Sequence, residues 1–498
     1  MVLHQQKAPN ARKRAASIFA AGLGFRLLAI AVLSRAHPEM FFWGSDEAGA
    51  IARSIVTNHS FASPYHHAHG PTAWLAPGFP AVVAAIFVLF GVQTFVSAAA
   101  VMVFNALCSA ATGVVVYALG KALHSEPAGW FAGWMWALSP YLVLVPMLLW
   151  DSSLSALVLS GILLLMFQLR AEKTSDWALW GTAWGVAAFI SPALLAPLPV
   201  LAMFQYKNWK RLGLAALCAI ALLTPWTVRN YSVFHRIIPI RSNGLSEVYF
   251  ANAGMASHPL GQSMEYQRLG EADYTSQQNR RTVEYIRENP AAFFRDSAHR
   301  AGEFWSSPPS FRPWSIAIDI AALVGLVLAF GVSRQRVLQL FAVLASYPLI
   351  YYAVLPIPRY RHPIEPALYA LAGVAVSAFA PSKNPAGKWR FPLSKWFLQL
   401  NSRCKSLQLN GKLFRILTLT RRKNVKTCAP ARPENVSGCG SSSAAPASRK
   451  FRQKTKTSSP PQRPAARFAS TRSLQVPTAG WKLPRSRQGR SKPEPAAS

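Results

Sequence analysis

Acidic residues are scarce in this chain of 498 residues: 19 Asp and Glu stand against 53 Lys and Arg. Charged residues of both signs make up 14%, well below the roughly 25% of soluble domains, which excludes an ordinary water-soluble protein. Cysteine is rare as well, with Cys108 and Cys218 in apolar runs and Cys404, Cys428 and Cys439 near the C-terminus. None falls in a predicted outer loop, so disulfides are not expected to hold the fold. The chain lacks a phosphate-cradling glycine loop, a nucleotide-binding βαβ unit and a serine-hydrolase elbow. The apolar run at 15–35, preceded by Lys7, Arg12, Lys13 and Arg14, lacks a small-residue cleavage site and reads as a retained anchor.

What is present is apolar. Hydrophobic residues make up 51%, with 16 Trp and 28 Phe, and long apolar runs recur from 15 to 380, each of the longer ones suited to a hydrocarbon core roughly 30 Å thick. The net charge of +34 is unevenly spread: from residue 382 onward 26 Lys/Arg face 2 acids, while the first 381 residues carry 27 against 17. Basic clusters collect on the cytoplasmic side of membrane proteins. Here they are 7–14, Lys121, Arg170 with Lys173, Lys207 with Lys210-Arg211, Arg334 with Arg336, and Lys383 onward. The spans between them read as 15–35, 96–119, 127–147, 152–169, 177–191, 193–206, 212–228, 314–333, 337–356 and 364–381. The expected fold is an all-α polytopic membrane protein of about 10 transmembrane helices (range roughly 9–13), both ends inside, with outer juxtamembrane helices. The expected division is a basic cytoplasmic N-terminus at 1–14, a transmembrane domain at 15–381 and a basic cytoplasmic tail at 382–498.

Residues 78–92 are apolar but short for a span and read as a helix at the outer interface. Two outer segments remain, 36–95 and 229–313, the second with a predicted surface helix at 277–305. The tail is rich in Ser, Pro, Ala, Arg and Lys and lacks apolar periodicity, so disorder is expected, either as a natural extension or as a frameshifted end. Contact of such a tail with anionic lipid or nucleic acid would be nonspecific.

Candidate chemistry gathers at the outer face. Asp46-Glu47 follows the first span by about ten residues, behind the aromatic anchor Phe41-Phe42-Trp43. A carboxylate at a low-dielectric membrane edge has a partner or a task, and a raised pKa suits it to act as a general base. Pro358-Arg359-Tyr360-Arg361-His362-Pro363 lies just outside a late span, and a guanidinium matches a phosphate bidentately and keeps its charge. The plainer readings are a solvated acidic loop and interfacial snorkelling. Arg229 closes another span and either contacts phosphate, pairs with Asp46 or anchors structure. Asp151, after Trp150, is either a second acid or a helix N-terminal charge. His66, His67 and His69 are weak candidates for a divalent metal, with a solvated loop the better reading.

Three stretches, in this order over residues 15–380, resemble one known family. The first runs from Asp46-Glu47-Ala48 through Arg53 and Phe61 to Gly70-Pro71-Thr72-Ala73-Trp74-Leu75-Ala76-Pro77-Gly78-Phe79-Pro80, with a helix ending in Phe90-Gly91. The second is Thr224-Pro225-Trp226-Thr227-Val228-Arg229-Asn230-Tyr231, and the third is Arg359-Tyr360-Arg361-His362-Pro363-Ile364-Glu365-Pro366. Together they resemble the GT-C membrane glycosyltransferases of the protein mannosyltransferase and lipid A aminoarabinose transferase type (glycosyltransferase family 39-like). The resemblance implies a GT-C-like fold and inverting transfer of a monosaccharide from a polyprenyl-phosphate donor to a lipid, glycan or protein acceptor. It implies Asp46 as the base, Glu47 as its helper, and Arg359, Tyr360, Arg361 and Arg229 at the donor phosphate. It also implies a multi-pass protein of the inner (plasma) membrane with its site facing the periplasm or exterior. It leaves metal dependence open. A transporter or flippase of lipid-linked sugars would share the basic phosphate site and is the alternative reading.

Overall fold

The computed structural model describes residues 8–41, 43, 47–64, 70–252, 259–380, 382–383 and 389–390. All belong to the first of two units, Met1–Asn410; the second, Gly411–Ser498, lies outside the described residues. Sixteen α-helices are described, together with short 3₁₀ turns and a two-residue antiparallel pairing of Ser382–Lys383 with Trp389–Arg390. The remainder of the expected tail lies outside the described residues.

The N-terminal half comprises α1 (Ala8–Ala36), α2 (Glu47–Asn58), α3 (Gly78–Phe90), α4 (Phe95–Leu123), α5 (Glu126–Ala137), α6 (Ser152–Gln168), α7 (Thr174–Ile190) and α8 (Leu198–Met203). Thr94 caps α4 by accepting from Ser97 N at 3.0 Å, and Ser125 caps α5 with Pro127 in its first turn. The apolar stretch expected as one span at 127–147 is not one helix: α5 ends at Ala137, and Pro140 and Pro146 carry the chain through turns, since proline donates no helix hydrogen bond. The expected spans at 177–191 and 193–206 become α7, a 3₁₀ turn at Pro192–Leu195 and the six-residue α8, broken by Pro192, Pro197 and Pro199. The short interfacial stretch at 78–92 forms the 13-residue α3.

The C-terminal half comprises α9 (Trp209–Phe234), α10 (Gly244–Asn252), α11 (Pro259–Leu269), α12 (Glu271–Glu288), α13 (Pro290–Ser306), α14 (Arg312–Ser346), α15 (Leu349–Tyr352) and α16 (Glu365–Phe379). The surface helix expected at 277–305 is two helices, because Pro290 starts a new one. Spans expected at 314–333 and 337–356 lie largely within α14, whose Ser333 (φ −136°, ψ 55°) breaks it where Arg334 and Arg336 were read as a cytoplasmic turn.

Among the described residues, four helical stretches are long and apolar enough to cross a membrane: Ala11–Ala36, Phe95–Leu123, Tyr206–Phe234 and Pro309–Tyr352. Gly78–Phe90, Ser152–Gln168 and Pro192–Met203 are apolar but shorter. This is an all-helical membrane protein. Its core runs between α4, α5, α6, α7, α14 and α16, around the buried Trp136, Trp180 and Trp184. Small residues let helices approach closely: a Cβ on Gly325 of α14 would sit 1.8 Å from the Leu371 carbonyl oxygen of α16. One charge is buried in the first span. Arg26, fully buried, donates to Ser109 Oγ (2.8 Å) and to the carbonyls of Gly22 (2.9 Å), Ala137 (3.1 Å) and Trp136 (3.3 Å), tying α1 to α4 and α5.

Candidate active site

The first outer segment is held by the second through one carboxylate. Glu271 opens α12, is 4% exposed, and accepts from Ala73 N (2.7 Å), Ser242 Oγ (2.7 Å), the Tyr266 hydroxyl (2.5 Å) and Thr72 Oγ1. Ser242 N donates to Ala73 O at 2.9 Å, and the Trp74 ring packs against Tyr266 and Tyr274. From α9, Arg229 donates to Thr72 O (2.7 Å) and Phe61 O (2.9 Å). Arg229 therefore anchors the first outer segment and does not line the cavity described next. Every polar group of this clasp has partners within the protein, as burial requires.

The clasp positions a cavity of about 520 Å³. Glu47 and Ala48 of α2 line it, with Leu75, Ala76, Phe79 and Pro80 leading into α3, Trp150 and Asp151 before α6, and Ser191 and Pro192 at the broken end of α7. From the second outer segment come Arg241 and Glu247; Tyr347, Tyr351, Arg359 and Tyr360 complete the wall. The lining combines polar and charged side chains with apolar ones, the usual character of a small-ligand site.

Within it, opposite charges interleave. Asp151 begins α6 and accepts from Ser155 Oγ at 3.1 Å. Burial pushes its carboxyl above the ordinary range, against the pull of Arg359 and Arg241. Glu247, in the first turn of α10, accepts from Asn243 Nδ2 at 3.0 Å and lies 3.9 Å from Arg241 Nη2; Asn243 in turn accepts from Arg241 Nε. Enclosure by protein raises the Glu247 carboxyl too, again against Arg241 and Arg359. The Arg359 guanidinium lies 4.2 Å from the Trp150 ring centroid, and its buried Nε has no hydrogen-bond partner. Tyr360 stacks on Tyr351 at 4.6 Å. Trp74 Nε1 reaches Glu47 Oε1 at 3.4 Å.

Of the residues singled out from sequence, Glu47, Asp151, Arg359 and Tyr360 meet at this cavity. Arg361 does not line it. It is 2% exposed and bonded internally to Asp319 Oδ1 (2.5 Å) and to the carbonyls of Trp305 (2.6 Å) and Ser307 (3.3 Å). Asp46, His66, His67 and His69 lie outside the described residues; among those described, no cluster of three or more His, Cys, Asp or Glu has metal-site geometry. Arg241 and Glu247 were not singled out. Their only signal is two charges in the turn-rich stretch Pro239-Ile240-Arg241-Ser242-Asn243-Gly244 and just after it.

The chain matches no protein-family model and no curated protein. Its fold is similar to several solved structures. One is the Archaeoglobus fulgidus oligosaccharyltransferase in the apo form (12% identity, TM-score 0.46, covering 72% of this chain and 50% of that one). Another is ArnT from Cupriavidus metallidurans bound to undecaprenyl phosphate (14%, 0.43, 80% and 66%). A third is the archaeal oligosaccharyltransferase AglB from A. fulgidus with an inhibitory peptide and a dolichol-phosphate (11%, 0.46, 82% and 54%). The chain thus spans about half the length of the oligosaccharyltransferases and 66% of ArnT.

Proposed function

We propose that this chain is an integral membrane glycosyltransferase of about ten spans (range roughly 9–13), moving a monosaccharide from a polyprenyl-phosphate donor to a lipid, glycan or protein acceptor at the outer membrane face. The observation that carries the reading is the cavity in which Glu47, Asp151 and Glu247 face Arg359 and Arg241. A volume of about 520 Å³ suits one sugar and its phosphate with an acceptor group beside them. The prenyl chain would lie between apolar helices.

In the proposed reaction a carboxylate takes the proton of the acceptor hydroxyl or amine as that atom attacks the anomeric carbon. The new bond to carbon forms while the carbon–oxygen bond to phosphate breaks, with inversion. The electron pair leaves with the lipid phosphate. Asp46 is the proposed base and Glu47 its neighbour at the cavity. Arg359 is the proposed phosphate contact, joined by Arg241 in the place that sequence reading gave to Arg361. Positive charge fixed before reaction stabilises a leaving group without reorganisation, often the largest catalytic contribution. Asp151 and Glu247 line the cavity where they can hydrogen-bond sugar hydroxyls.

Membranes carrying the chain, incubated with radiolabelled polyprenyl-phosphate sugars and an endogenous acceptor pool, test this. Label should leave the prenyl phosphate with the native chain. Asp46→Asn should lower transfer by about 10² or more, and Arg241→Ala by about 10². Label that crosses the bilayer without leaving its lipid would favour a flippase and sink the transferase reading.

A further inference from the structure

Arg359 and Arg361 are two residues apart but belong to different environments. They fall on consecutive 3₁₀ turns, Pro358–Tyr360 and His362–Ile364, with Arg361 between them. At three residues per turn, side chains two positions apart diverge by roughly 120°, so the pair cannot converge on one ligand. Arg359 lines the cavity; Arg361 points into the protein.

We propose that Asp319 and Arg361 are positioning residues for Arg359: their buried pair fixes these turns so that the Arg359 guanidinium faces the cavity. The proposal rests on the donor-phosphate reading of that cavity. One guanidinium gathers three elements. Arg361 Nη2 donates to Asp319 of α14, Nη1 donates to Trp305 and Ser307 at the end of α13, and Nε lies 3.8 Å from Glu365 of α16. Glu365, 3% exposed, also holds His362 Nδ1 at 2.8 Å, and the His362 ring stacks on Trp136 at 5.5 Å. The Tyr347 hydroxyl donates to Tyr360 O at 3.1 Å, steadying the turn from the α14 side. Ion pairs in such surroundings depend on both partners, because removing one strands the other charge away from water. The Arg359 Nε, like that of Arg361, has no hydrogen-bond partner, and the Arg359 guanidinium lies against the Trp150 and Tyr360 rings, so its direction is inherited from the turn that carries it.

Undecaprenyl phosphate binding by the purified full-length chain tests the idea in the native protein, Asp319→Asn, Arg359→Ala and the double variant. Asp319→Asn keeps the side-chain shape and an acceptor oxygen while removing the charge. It should weaken binding by about tenfold, a modest displacement effect. The double variant should bind no more weakly than Arg359→Ala alone, since the pair acts through Arg359. The Trp150 emission, isolated by difference from Trp150→Phe, should shift in Asp319→Asn with no lipid present. Additive losses in the double variant, or an unmoved Trp150 signal with unchanged affinity, would overturn the proposal. If Asp319→Asn does not fold, Arg361→Lys, which keeps the charge but loses the fork, carries the same expectations. A native chain that binds no lipid phosphate, yet whose Trp150 signal responds to Asp319→Asn, would reject the donor reading and leave the positioning intact.

Discussion

Two acidic regions of this protein are built oppositely. In the clasp between the outer segments, Glu271 is surrounded by four donors: a backbone amide, two aliphatic hydroxyls and a phenol. In the cavity, Asp151 has one hydroxyl and Glu247 one amide, and arginines that sit near both carboxylates are not closely bonded to either. The clasp uses the hydrogen-bonding capacity of its carboxylate; the cavity withholds it. A carboxylate with its capacity filled holds chain segments together, whereas one left short of partners is available to a ligand and costs stability meanwhile. Perturbed titration in a cleft is what a reactive site tends to show.

The comparison breaks most visibly at Glu271. Glu271→Ala orphans the Ala73 amide and its neighbours, and should lower the unfolding free energy by about 3 kcal/mol or more. Asp151→Asn should do the reverse: stability held or slightly raised, with sugar transfer down about 10²-fold. Thermal unfolding in detergent, set beside transfer rates, checks both. Equal stability losses at the two sites would erase the distinction between clasp and cavity.

The distinction was only partly legible in the sequence. Apolar length marked α1, α4 and α9, since a run of about 20 apolar residues has few alternatives to a membrane helix. The break at Pro192 was read between two expected spans, whereas those at Pro140 and Pro290 were visible as residues, yet a hydropathy window averages across them. The acidic pair Asp46-Glu47 shortly after Trp43, and Asp151 directly after Trp150, stood out as acids near tryptophan at a predicted membrane edge. Arg359 and Arg361 looked equivalent because charge and spacing are alike; only the phase of the 3₁₀ turns separates them. Arg241, Glu247 and Glu271 come from a segment with little apolar patterning. Their partners at Asp151 and Ala73 lie 90 or more positions away, and no local rule brings such residues together.

Titration sharpens the contrast with a smaller effect. The carboxyls of Asp151 and Glu247 sit above their ordinary values of 3.8 and 4.5 because burial disfavours the charged forms. A carboxyl raised in the folded state binds its proton more tightly there than in the unfolded chain. Its contribution is therefore fully favourable below the ordinary value and is lost as pH rises through the folded one. The double variant Asp151→Asn, Glu247→Gln should melt above the native protein at neutral pH and lose that advantage toward pH 4. Melting curves across this window check the sign, and an advantage that grows on acidification would contradict it.

The smallest expected effect lies at an exposed contact within the second outer segment. Arg236 pairs with Asp273 at 3.0 Å, and both side chains are well exposed, at 45% and 68%. Arg236 also donates to Ala272 O at 2.7 Å. Water competes for each of these groups and salt screens the pair, so Arg236→Ala should cost under about 1 kcal/mol and leave transfer unchanged. This link and the Ser242–Glu271 bond of the clasp join neighbouring stretches of the second outer segment, and they differ chiefly in exposure. A cost approaching that of Glu271→Ala would mean that burial is not what gives the clasp its strength.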